Sequence, residues 1–314
     1  MKMENNKALA VMGEVNKAVI GKNSCIVKVM AAILAGGHIL IEDIPGVGKT
    51  TMATAFSRAM DIHETRIQFT PDVLPSDIVG FSMYDKETGK FTFRPGAVMC
   101  NLLLADEINR TSPKTQSALL QVMEEGKVSV DGNTYELPKP FTVIATQNPV
   151  GSAGTQMLPM SQMDRFMIQI KMGYPNIEDE IQIVKGKLSA EPPKAVVSAR
   201  DILAMKKEVA NIYVHDDVYD YIGKLIMATR SNSKLELGVS PRGTIALTQM
   251  AKAVAYLDGR YYVIPEDVEA VFSDVVSHRL VVASRSKITG IDKEGIIEEI
   301  LSTVKKPKIR NFGK

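Results

Sequence analysis

The chain has 314 residues, 45% of them hydrophobic and 24% charged, the profile of a soluble globular protein long enough for two domains. Thirty-eight Lys and Arg against 36 Asp and Glu leave a net charge of +2, which argues against a dedicated polyanion binder and makes nucleic acid an unexpected partner. Two distant cysteines, Cys25 and Cys100, and four scattered histidines, His38, His63, His215 and His278, give neither a disulfide framework nor metal-ligand spacing.

The opening "MKMENNK" carries an acid and two asparagines, and the apolar stretch from Cys25 to Ala35 contains Lys28 and is too short to span a bilayer. No export or anchoring signal is read there, so a cytoplasmic location is expected. Up to about Tyr174, short apolar runs alternate with helical patterns: "HILIE", 49–60, "RIQF", "NLLLAD", 115–125, "FTVIAT" and "FMIQI". That order predicts an α/β fold with a parallel sheet layered by helices. "NLLLA" and "FTVIA" are apolar at nearly every position, as expected of central strands covered on both faces.

"HILIED" is followed by "IPGVGKTT". A glycine-rich turn between strand and helix lets backbone N–H groups converge on phosphate, and the helix N-terminus adds its dipole. The cradle comprises Pro45, Gly46, Val47, Gly48, Lys49, Thr50 and Thr51; Lys49 supplies charge to the outer phosphates and Thr50 a hydroxyl to Mg²⁺. Asp43 stands where the full phosphate-loop pattern has its first glycine. G-x-G-K-[ST] arises by chance in roughly one chain of this length in a hundred.

A second signal removes most of that chance. "NLLLADEIN" ends a buried strand in Asp106, placed to hold Mg²⁺, and Glu107, placed to polarise an attacking water. "FTVIATQNP" ends in Asn148, an amide for the γ-phosphate or the water, and "LPMSQMDRF" offers Arg165 for charge on a transferring phosphoryl group. Two segments, "FSMYDKETGKFTFRPG" and "KVSVDGNTYEL", read as β-hairpins inserted into this rhythm. "MGYPNIEDE" reads as a boundary, after which helical periodicity dominates near 177–187, 199–210, 215–230, 241–258, 265–278 and 293–304. In "GVSPRGT", Ser240 caps a helix and Pro241 opens it, pinning Arg242 near a helix start from which it reaches back to the nucleotide.

Taken in order, "IPGVGKT", "LLLADEINR", "VIATQNP", "LPMSQMDRF" and "SPRG" resemble the AAA+ ATPases, and within them the MoxR family, over nearly the whole chain. The resemblance implies an αβα core over 1–174 with hairpin inserts at about 81–95 and 126–138, and a smaller all-helical lid over 175–314. It implies ATP bound between subunits of a ring, expected to be a hexamer, and ATP hydrolysis to ADP and phosphate with Mg²⁺. Lys49 and Thr50 become the Walker A pair, Asp106 the Walker B carboxylate and Glu107 the water activator. Asn148 becomes the first sensor, Arg165 the arginine finger on a neighbour's ATP, Arg242 the second sensor, and Ile20 and Gly21 the adenine pocket. Arg110 is read as facing a neighbouring site. Met160 and Ser161 stand where the family often has Glu-Ala. Family analogy makes the work a remodelling of protein partners, von Willebrand factor A domain proteins among them. An ATP-switched binding module with slow turnover and a DNA-directed motor are the competing readings, the latter opposed by Asp131 and Glu136 in the second hairpin.

Overall fold

The computed structural model describes residues 6–42, 46–87, 89–148, 158–185 and 192–308. Nine of its strands are β1 (Ile39–Glu42), β2 (Glu64–Gln68), β3 (Gly80–Asp85), β4 (Lys90–Pro95), β5 (Leu102–Asp106), β6 (Lys127–Val130), β7 (Asn133–Glu136), β8 (Thr142–Gln147) and β9 (Ile168–Ile170). Five of them form one parallel sheet in the order β2-β5-β8-β1-β9. β5 and β8 are buried at every residue, which is why their sequences lack alternation.

The sheet separates two apolar layers by strand periodicity. Ile39, Ile41, Leu102, Leu104 and Ile144 face one layer, with α1 (Asn6–Ala18), α2 (Asn23–Ala35) and α3 (Lys49–Ala59). Leu40, Leu103, Ala105, Val143 and Ala145 face the other, with the short α4 (Pro75–Val79) and with α5 (Pro113–Glu125). Ser112 caps α5 by accepting from the Thr115 N–H, Pro113 opens it, and Gly126, at φ 65°, closes it in the left-handed region.

β3 pairs with β4, and β6 with β7, as two antiparallel hairpins. The second turns through Asp131 and Gly132, both at positive φ. Phe93 of the first stacks on Tyr135 of the second, ring centroids 4.0 Å apart.

Beyond the one-turn α6 (Met160–Met163), the chain is mostly helical: α7 (Ile177–Val184), α8 (Ala199–Ala210), α9 (Asp216–Ser231), α10 (Pro241–Leu257), α11 (Pro265–Val276), α12 (Ser284–Ile288) and α13 (Lys293–Thr303). A small antiparallel pair, β10 (Leu235–Leu237) and β11 (Val281–Val282), interrupts them. α8 and α10 both pack on α2, and apolar residues of α8 to α11 and α13 join the same continuous core as α1 to α3. Among the described residues, no helix is long and apolar enough to cross a membrane.

Candidate active site

Because the sheet is parallel, β1, β5 and β8 deliver their C-terminal residues to one edge, the usual crevice for ligands in such folds. At that edge β1 leads through the glycine turn into α3. Gly46 and Gly48 sit at φ +88° and +92°, a region that disfavours side chains, and a Cβ at either would meet nothing within 4 Å. The backbone there faces open space. α3 carries no acid in its first turn, so its positive end is not neutralised locally. Lys49, the first residue of α3, is buried although charged; Thr50 follows half-buried, and Thr51 is exposed at the mouth. Pro45 and Asp43 lie outside the described residues.

A cavity of about 200 Å³ adjoins this turn, walled by Val19, Ile20, Val47, Pro175 and Ile183. Its apolar walls beside a phosphate cradle suit a flat heteroaromatic base. Gly21 is not among its walls, and a Cβ there would strike the Asp179 carboxylate.

At the end of β5, Asp106 is buried, with a donor on each carboxylate oxygen. Oδ2 accepts from Arg66 Nε and NH2, both at 2.8 Å, and Oδ1 accepts from Thr146 Oγ1 at 3.2 Å. The same Thr146 oxygen accepts the Glu107 N–H at 2.9 Å, so one hydroxyl on β8 ties both carboxylate residues to the neighbouring strand. Glu107 adopts φ 56°, which costs a non-glycine residue on the order of 1 kcal/mol.

The Glu107 side chain accepts from Asn148 Nδ2 on Oε1 at 3.0 Å and from Arg110 NH1 on Oε2 at 2.8 Å. The Arg110 hydrogen bond holds its carboxyl below the usual range, helped by Asn148 and by the charges of Arg110 and Lys49, against the opposing effect of partial burial. Asn148 is held in turn by Asn109, which accepts the Asn148 N–H and donates to its carbonyl, both at 3.3 Å. Among the described residues, the buried Asn148 Oδ1 has no hydrogen-bond partner.

These donors suit Mg²⁺. Among the described residues no cluster of three or more His, Cys, Asp and Glu stands ready to enclose a metal, whereas one carboxylate, Asp106, and one hydroxyl, Thr50, match a cation that takes most of its oxygens from phosphates and water.

Arg165 and Arg242 form a second cluster. Both bind Glu124 near the end of α5: Arg165 NH1 meets Oε2 at 3.4 Å, and Arg242 NH2 meets Oε1. Arg242, expected from the sequence to reach the nucleotide, pairs here with Glu124 and is absent from the walls of the cavity at the glycine turn. Beneath the pair lies a buried hub. Arg279, with 2% of its side chain exposed, donates Nε to Asp164 Oδ1 at 2.7 Å and NH2 to the Phe166 carbonyl at 2.7 Å. Ser240, the cap of α10, donates to both Asp164 oxygens, at 3.0 and 2.9 Å. Asp164 thus places Arg165, its chain neighbour, and Arg242, two residues past Ser240. The sequence reading missed Arg66, Thr146, Glu124 and Arg279, whose partners lie far away in the chain.

Residues 38–168 match the family described as ATPase family associated with various cellular activities (AAA), and 227–300 match the AAA lid domain. The chain is 45% identical over 300 residues to "Uncharacterized protein YeaC" of Bacillus subtilis, covering 95% of this chain and 94% of that one. It is 39% identical over 307 residues to "Chaperone MoxR1" of Mycobacterium tuberculosis, covering 94% and 81%. The crystal structure of a putative ATPase from Cytophaga hutchinsonii superimposes with a TM-score of 0.89 at 38% identity, covering 97% and 96%.

Proposed function

Since the chain belongs to the MoxR family of AAA+ ATPases, we propose that it hydrolyses ATP with Mg²⁺ in a homo-oligomeric ring, expected to be a hexamer, and uses the cycle to remodel, assemble or mature a protein partner. The observation that carries this reading is Glu107, fixed by Asn148 and Arg110 beside the Lys49 charge at the mouth of the glycine turn.

The glycine turn and the α3 N-terminus bind the triphosphate, and Lys49 draws the outer phosphates inward. Thr50 and Asp106 would hold Mg²⁺, which when bound would supply positive charge to the phosphoryl oxygens. Glu107, ionised at neutral pH, takes a proton from the attacking water. Asn148 orients that water or the γ-phosphate through its amide. Arg165 completes the site of a neighbouring subunit, where its guanidinium meets developing charge, with Arg242 beside it. The chaperone name of one relative supports a protein partner, and family analogy points to one with a von Willebrand factor A domain.

The test is steady-state ATPase activity per subunit against protein concentration. Rising specific activity, abolished by Glu107→Gln and by Arg165→Ala, is expected. Activity that is flat with concentration and indifferent to Arg165→Ala sinks the ring reading. A second reading, a nucleotide-switched binding module with slow turnover, draws on both Glu107 oxygens being engaged within the chain. It predicts ATP-dependent assembly with a turnover that no protein concentration accelerates.

A further inference from the structure

Glu124 receives two arginines that the chain brings from separate places, Arg165 just past α6 and Arg242 at the start of α10, one on each carboxylate oxygen. Among the described residues neither arginine has a second carboxylate within ion-pair distance. Two like charges therefore share one counterion, and the trio carries a net charge of +1 on these side chains.

α10 has other anchors besides these contacts. That helix is already fixed through Ser240 and Asp164, with Arg279 buried beneath them. By contrast the side chains of Arg165, Arg242 and Glu124 remain 31%, 43% and 46% exposed, where an ion pair contributes little and exchanges readily. A terminal phosphoryl group offers more charge and more acceptor oxygens than a carboxylate and engages forked guanidinium groups well.

We propose that Glu124 is a competing carboxylate for the outer phosphate of ATP: it holds Arg165 and Arg242 together and gives them up when a nucleotide-bearing neighbour docks. This rests on the ring reading above. Glu124 then sets how much ATP and how much neighbouring subunit are needed to recruit the two arginines. It acts through them and touches no reacting atom.

The experiment is the ATPase titration in both ATP and subunit concentration, comparing wild type with Glu124→Gln, which keeps the shape and removes the charge. The expected result is a fall of about five-fold in KM for ATP and in the half-activating subunit concentration, with kcat changed less than about two-fold. The difference should shrink as salt screens the charge. Sedimentation velocity with a non-hydrolysable ATP analogue should show easier assembly for Glu124→Gln and no such gain when Arg165→Ala is added. If wild-type activity climbs with concentration but Glu124→Gln leaves both midpoints unchanged or raises them, the assignment of Glu124 falls while the ring reading stands. If wild-type activity is flat, the ring reading fails and takes this inference with it. A clear drop in the thermal midpoint of Glu124→Gln makes the residue a structural clasp and also overturns the proposal.

Discussion

Asn148 donates its side-chain amide to Oε1 of Glu107 at 3.0 Å while its own Oδ1 is buried without a partner among the described residues. The amide is thus engaged at one end and unpaired at the other. Its anchor is Asn109, which grips the Asn148 backbone in both directions.

Asn148→Ala should lower kcat by about 10²- to 10³-fold, the usual loss when one preorganised donor is removed, with a smaller change in KM. Single-turnover hydrolysis alongside a nucleotide-binding assay checks it. A loss confined to binding would place Asn148 outside the chemistry.

The Glu107 carboxyl is depressed chiefly by Arg110. A base with a lowered pKa is active above that value and loses activity as pH falls through it, so the acid limb of kcat/KM should lie below the ordinary carboxylate range. Arg110→Ala removes the main cause and should move that limb to higher pH. An acid limb that stays in place in the variant would assign it to another group.

Thr146→Val keeps the shape of a fully buried side chain but deletes the hydroxyl that serves Asp106 and the Glu107 N–H. Leaving a buried donor unmatched should destabilise the fold by about 1–3 kcal/mol, read from denaturant unfolding. The Mg²⁺ concentration for half-maximal ATPase should rise in the same variant, because Asp106 loses its positioning bond.

Arg279→Met strips the buried guanidinium from Asp164 and from a ring of carbonyls. Breaking a buried pair costs about 3–5 kcal/mol, and because Asp164 keeps 21% of its side chain exposed, the loss should fall near the low end. Equilibrium unfolding measures it, and a variant as stable as wild type would mean the hub adds nothing.

Much of this site could be read from residues in a row. Asp106 and Glu107 end a run apolar enough to be central, and the glycines at 46 and 48 have the spacing of a phosphate turn because the backbone there needs positive φ. The helix over 241–258 announced itself by Ser240 and Pro241, and the structure runs it from Pro241 to Leu257. What stayed hidden depends on strand order. Arg66 reaches Asp106 because β2 lies beside β5, and Thr146 does so because β8 lies on the other side; each looks like an ordinary strand residue in its own segment. Glu124 sits in "VMEEG", where an acid on a helical pattern reads as solvated surface, and its meaning comes from two arginines folded onto it from 41 and 118 positions away. Arg242 is legible as a helix-start arginine, but its pairing with Glu124 is not.

α2 carries apolar packing on both sides, against the sheet's helical layer and against α8 and α10. Cutting the chain after the sheet would uncover that second side, so the first half made alone should aggregate. The full chain should also give a single heat-absorption peak in calorimetry, since the core beside α1 to α3 runs on without a break into α8 to α11 and α13.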